Sequence, residues 1–237
     1  QDLGFVAPDV FIPIAEQSGL IDAISRWVIR TVVKQQCLWQ QAGINIQVAI
    51  NLSVFDLETS TMFEFARDIM TKAGLRATSI SFEMTESALM NNQQKIIEQL
   101  HRFRDHGYHL SLDDFGTGYS SLAYLKNMPI DELKIDKAFV MRLNEDIDDQ
   151  SIVKTVIGLC RCFELETVAE GVENHHSLSL LASWHCDWVQ GFYLSRPIPQ
   201  VDYASWLLEF DQAKALQALY YVDSHRSQLT SFKKRAD

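Results

Sequence analysis

The chain has 237 residues, of which 47% are hydrophobic, 22% charged and 11% aromatic, a composition that excludes a disordered or fibrous chain. Its 21 basic and 31 acidic residues leave a formal net charge of −10, which argues against bulk nucleic-acid binding through a broad positive surface. An anionic ligand would have to be drawn in by a local device such as metal ions or a phosphate cradle.

In chain order, the first long amphipathic stretch is Ile21–Gln41, with Ile21, Ile24, Trp27, Val28, Val32 and Cys37 read as its apolar side. A short β-branched segment, Gln47–Leu52, follows, and the alternation then repeats. Strand-like segments at Ser79–Met84, His109–Leu112, Glu132–Ile135, Glu166–Ala169 and Trp188–Leu194 are interleaved with helical patterns at Met62–Ala73, Gln93–His106, Asp149–Phe163 and His176–Trp184. Gly43, Gly74 and Gly107 each stand where a left-handed helix stop is expected. This alternation predicts an α/β fold with a parallel sheet covered by helices. It fits an open doubly wound sheet or most of an eight-stranded barrel, and periodicity does not separate the two.

After Asp202–Phe210 the chain becomes one polar, helix-like stretch, 211–237, ending in Lys233, Lys234 and Arg235. We read it as a peripheral helix and solvated tail beside a main domain over 1–210. The four cysteines, Cys37, Cys160, Cys162 and Cys186, have no zinc spacing and read as buried thiols in a reducing compartment, with one inward and one sideways thiol in Cys160-x-Cys162. No uncharged apolar run approaches the roughly 18 residues of a membrane helix, so no membrane segment is expected here and a cytoplasmic domain is.

The polar residues mark the strand ends. Asn51, Glu83 and Glu86, Asp113 and Asp114, Lys134, Glu170 and Gln190 each lie at or just after an apolar segment. In parallel α/β folds these ends share one face, so the residues are expected to converge. Carboxylates with an amide and no histidine or thiolate suit Mg²⁺ or Mn²⁺ rather than zinc or copper. Two cations would relieve the repulsion between Asp113 and Asp114 and, with Lys134 supplying positive charge, would serve attack of water on a phosphodiester. Taken singly, Asp113-Asp114 could cap a helix after a glycine turn and Asn51 could close a turn. A lysine inside an apolar strand instead requires a carboxylate partner.

The ordered segments Phe11-Ile12-Pro13-Ile14-Ala15-Glu16, Asn51-Leu52-Ser53, Phe82-Glu83-Met84-Thr85-Glu86-Ser87, Asp113-Asp114-Phe115-Gly116-Thr117-Gly118-Tyr119-Ser120-Ser121-Leu122, Leu133-Lys134-Ile135-Asp136, Ala169-Glu170-Gly171-Val172-Glu173 and Gln190-Gly191-Phe192-Tyr193 resemble those of EAL-domain cyclic di-GMP phosphodiesterases. The likeness runs from Gly4 to about Pro199. It implies a TIM-like (βα) barrel and hydrolysis of cyclic di-GMP to pGpG with two Mg²⁺ or Mn²⁺ ions. Asn51, Glu83, Asp113 and Asp114 match the metal ligands, Glu170 also faces the metals, Lys134 matches the lysine beside the attacking water, and Gln190 lies near the metal-water cluster. Glu86 matches a glutamate that braces the loop Phe115–Ser121, and Phe115, Gly116, Thr117, Gly118, Tyr119 and Ser120 belong to that substrate-side loop. The loop also takes part in pairing of domains, so a homodimer is implied.

The resemblance also implies two strands ahead of Gly4, one bearing a Glu-Ala-Leu signature whose glutamate is a metal ligand. We therefore expect the chain to be a fragment of a longer parent with an upstream sensory or cyclase domain and a possible membrane anchor. Two other readings stand beside the enzyme. One is a catalytically silent domain that binds cyclic di-GMP or a protein partner, and the other is an unrelated metal-dependent barrel enzyme such as a phosphate-sugar lyase.

Overall fold

The structure, a computed structural model, describes residue 4 and residues 6–86, 93–116 and 125–210. The tail expected over 211–237 lies outside these residues. Two compact units divide the chain, the first formed by 1–113 and 118–131 and the second by 114–117 and 132–237.

The first unit opens with helices α1 (Pro8–Gln17) and α2 (Ile21–Gln41). Strand β1 (Val48–Asn51) leads into the one-turn helix α3 (Val54–Leu57) and then α4 (Thr61–Ala73). Strand β2 (Ile80–Thr85), helix α5 (Gln93–Asp105) and strand β3 (His109–Phe115) follow, β3 crossing into the second unit at its last two residues. β1 pairs with β2 and β2 with β3, all parallel. Ile80, Phe82, Met84, Leu110 and Leu112 are fully buried and share one face by the period-two alternation of a strand. Against this face Phe82 meets Phe103 of α5 at 5.0 Å between ring centroids, and Phe103 meets Phe63 of α4 at 5.3 Å. The opposite face carries Ser81, Glu83, Thr85, Ser111 and Asp113.

In the second unit, strands β4 (Glu132–Ile135), β5 (Glu166–Ala169) and β6 (Trp188–Val189) pair in that order, again parallel. Helix α6 (Lys137–Val140) follows β4, α7 (Ile147–Cys162) precedes β5, α8 (His175–Ser183) precedes β6 and α9 (Tyr203–Glu209) comes last. Asp146 caps α7 through the backbone N–H groups of Asp148 and Asp149, and Asn174 caps α8 through Ser177.

Several expectations need correction. The buried stripe of α2 is Ile21, Ser25, Ile29, Val33 and Gln36, whereas Trp27 is 64% exposed. Two polar residues can lie on that stripe because both are bonded: Ser25 to Asp56, and Gln36 to the carbonyls of Ile46 and Ser79. The strand expected at Trp188–Leu194 stops at Val189, because Gly191 turns the chain and accepts from the N–H groups of Leu194 and Ser195. Only Cys160 is fully buried; Cys37 and Cys186 are half-buried and Cys162, two residues round the helix from Cys160, is exposed. Helix α1 was not among the expected elements, and the one-turn α3 and α6 had no periodicity to announce them, since four residues are about one turn. Their signals are caps: Pro8 in the first turn of α1, Ser53 before α3 and Asp136 before α6.

Tyr108 is 2% exposed, and its hydroxyl has no hydrogen-bond partner among the described residues. Burial pushes its phenol up to about 12. A phenol raised above its unfolded value of about 10 contributes stability that is full below pH 10 and lost as pH rises through about 12. Tyr108→Phe should therefore gain about 1 kcal/mol at neutral pH by deleting an unpartnered hydroxyl. Urea denaturation checks this, and the variant should also lose less stability than the parent as the medium becomes strongly alkaline.

Candidate functional site

In the first unit the parallel register sets Asn51 directly beside Glu83 and Thr85 beside Asp113. The N–H of Leu52 donates to the Glu83 carbonyl at 2.8 Å, extending this pairing one residue beyond β1. Because paired residues of parallel strands point the same way and successive residues alternate, Asn51, Glu83, Ser111 and Asp113 share the face opposite the apolar core. Glu83 is 9% exposed, and Glu86, just past the end of β2, is buried. Asn51 is exposed and Asp113 half-buried.

The second unit brings together Lys134, Glu170 and the backbone of Gln190. Lys134 Nζ lies 2.6 Å from Glu170 Oε1, with 5% and 17% of the two side chains exposed. A buried ammonium this close to a carboxylate meets the partner requirement that the sequence set for Lys134. Removing one member of a buried ion pair typically costs roughly 3–5 kcal/mol, since the remaining charge loses its closest counter-charge. The N–H of Glu170 donates to the Ile135 carbonyl at 3.1 Å, and that of Gln190 to Ala169 at 2.9 Å, so both residues continue the strand ladder. Gln190 is exposed and lines a cavity of about 320 Å³ with Phe192, Arg196, Tyr203 and Trp206. The Arg196 guanidinium lies 4.7 Å from the Phe192 ring centroid.

Asp114 has φ +56°, a left-handed conformation that costs most L-residues but that aspartate tolerates better than most. Strained backbone of this kind collects at functional sites. Gly116 follows at φ +102°, and an added Cβ there would lie 2.9 Å from Phe139 of α6. Phe115 is buried and Gly116 exposed. Thr117, Gly118, Tyr119 and Ser120 lie outside the described residues.

Gly191, pressed against Val172, and Phe139, against Gly116, were not singled out by the pattern of polar strand ends. A Cβ on Gly191 would sit 2.1 Å from the Val172 carbonyl oxygen, because Val172 N–H donates to Gln190 and Tyr193 N–H donates back to Val172. The signal for Gly191 was its place after Gln190; the close backbone approach that requires it is tertiary.

A family model described as the EAL domain matches residues 1–197. The chain belongs to the EAL domain family. Over 219 residues it is 39% identical to the cyclic di-GMP phosphodiesterase NbdA of Pseudomonas aeruginosa, which covers 91% of this chain and 28% of that protein. Over 203 residues it is 36% identical to the cyclic di-GMP phosphodiesterase PdeR of Escherichia coli, covering 86% of this chain and 31% of PdeR. This EAL domain thus spans about a third or less of these curated relatives. A solved structure of the PaMucR phosphodiesterase in its c-di-GMP complex superposes with a TM-score of 0.80 at 37% identity, covering 85% of this chain and 82% of that one. The expected fold class, an α/β TIM-like barrel of the EAL type, is borne out by this match and by the family membership. Among the described residues no helix is long and apolar enough to cross a membrane.

Replacing Gly191 with alanine should displace the Gln190 backbone or break its bonds to Val172. Hydrogen exchange at the Val172 and Tyr193 amides should rise in Gly191→Ala, while the amides of β1 and β2 stay protected.

Proposed function

We propose that this EAL domain hydrolyses cyclic di-GMP to linear pGpG. The observation that carries the reading is the set of acids and an amide at the strand ends, with Lys134 paired to Glu170, in a chain of this family. The names of its relatives NbdA, PdeR and PaMucR support the substrate.

In this reading Asn51, Glu83, Asp113, Asp114 and Glu170 would hold two divalent cations. The donor set fits: every ligand is a carboxylate or amide oxygen, the choice of Mg²⁺ or Mn²⁺. When bound, the ions supply Lewis-acid stabilisation of the phosphoryl oxygens and lower the pKa of water. The protein's own residues do the rest. Lys134, held by Glu170, keeps positive charge beside the attacking water. Gln190 would lie near the bound ions and their water. Asp114 is held in a left-handed backbone conformation, and Glu86 serves as a bracing residue for the substrate-side loop. The Phe192 and Arg196 pair offers faces on which a guanine base can stack. Water adds to one phosphorus, one phosphorus–ribose oxygen bond breaks, and the leaving oxygen takes a proton.

The same reading makes the domain a cytoplasmic homodimer in a longer protein with an upstream sensory or cyclase domain. There it would lower cyclic di-GMP and so tune motility and biofilm behaviour.

The test is incubation of the chain, alone and extended by its native upstream sequence, with cyclic di-GMP and Mg²⁺ or Mn²⁺, following pGpG by chromatography. Metal-dependent turnover is expected, with Glu83→Gln and Asp113→Asn each lowering it by roughly 10²-fold or more. Unchanged turnover in both variants would remove the site assignment. Binding of cyclic di-GMP without turnover, in a folded extended chain, would replace the enzyme with a receptor.

A further inference from the structure

Ser53, two residues beyond Asn51, is held directly from α1 and α3 and, through Asp56, from α2. Its hydroxyl donates to Glu16 Oε1 of α1 at 2.6 Å. Its N–H donates to Asp56 Oδ2 of α3 at 3.0 Å, and the same Asp56 oxygen accepts from Ser25 Oγ of α2 at 2.6 Å. The Ser53 hydroxyl also accepts from the Phe55 N–H at 3.4 Å, completing a reciprocal cap on α3.

This is more than a helix of four residues needs. Asp56 is 1% exposed and its Oδ1 has no hydrogen-bond partner among the described residues. Desolvation pushes the Asp56 carboxyl above its ordinary range, against the lowering pull of its bonds to Ser25 and Ser53. A buried carboxylate with one oxygen unpartnered is costly to keep, and what it secures is the exit of β1. Asn51 is itself exposed. The backbone around it is pinned on one side by the Leu52 to Glu83 hydrogen bond and on the other by Ser53.

We infer that Asp56, Ser25 and Glu16 are positioning residues that set the Asn51 amide toward a divalent cation through Ser53. The inference rests on the reading of Asn51 as a metal ligand. Residues behind a ligand typically change metal affinity by roughly 10–100-fold when altered.

The test titrates the chain with Mn²⁺ alone, reading free Mn²⁺ by electron paramagnetic resonance and melting temperature in parallel. Compared are the parent, Asn51→Ala, Ser25→Ala, Asp56→Asn, the double variant Asn51→Ala with Ser25→Ala, and Asp146→Ala, which removes a helix cap elsewhere. Ser25→Ala and Asp56→Asn should weaken Mn²⁺ binding by about tenfold at temperatures where both are fully folded. Ser25→Ala should add little on the Asn51→Ala background. Asp146→Ala should lower the melting temperature without changing affinity. If Asn51→Ala weakens binding while folded Ser25→Ala and Asp56→Asn do not, or if Asp146→Ala weakens it equally, the positioning role is overturned and the metal reading survives. If Asn51→Ala leaves affinity unchanged, the metal reading of Asn51 falls and the positioning role with it.

Discussion

Parallel strands cannot be joined by a tight turn, so every strand must be followed by a crossover that returns the chain to the same starting end. Within each unit this constraint sends all carboxyl ends of the strands the same way. In the first unit it leaves Asn51 beside Glu83 and carries Asp113 along the same face. In the second it places Glu170 and Gln190 one residue beyond their strands, still bonded to the ladder. The chemistry of the chain is a consequence of this shared polarity, because residues distant in sequence become neighbours only by standing at like ends.

The period-two alternation then separates two jobs. In β2 and β3 the apolar residues Phe82, Met84, Leu110 and Leu112 are wholly buried on the helix side, where aromatic edges from α4 and α5 lock the packing. The intervening residues are Ser81, Glu83, Ser111 and Asp113. A shift of register by one residue would exchange the two sets and send carboxylates into the aromatic core. Stability and the candidate site are therefore fixed by the same register.

Charge is handled locally in both units. Lys134 and Glu170 satisfy each other at 2.6 Å in a nearly dry setting, while Asp56 is buried with Ser25 and Ser53 on one oxygen. The overall charge of −10 gives no general attraction for an anionic ligand. Asp114, at the end of β3, takes a left-handed backbone conformation, as do Glu164 and His185 elsewhere in the second unit.

Sequence alone determined the alternation of strands and helices, the polar strand ends and the ordered motifs of the EAL domain family. These depend on local period, on punctuation by Gly43, Gly74 and Gly107, and on residue chemistry, all of which are written along the chain. The buried stripe of α2 was not legible, because Ser25 and Gln36 look polar until Asp56 and the carbonyls of Ile46 and Ser79 are brought to them. Nor was the early end of β6, since Gly191 is required only by the Val172 backbone pressed against it. The one-turn helices α3 and α6 were missed because a single turn has no period. The pairing of Lys134 with Glu170, the left-handed Asp114 and the hold on Ser53 by Glu16 and by Asp56, itself bonded to Ser25, were likewise decided by tertiary structure. Each joins groups far apart in sequence or takes a backbone conformation that neighbours impose.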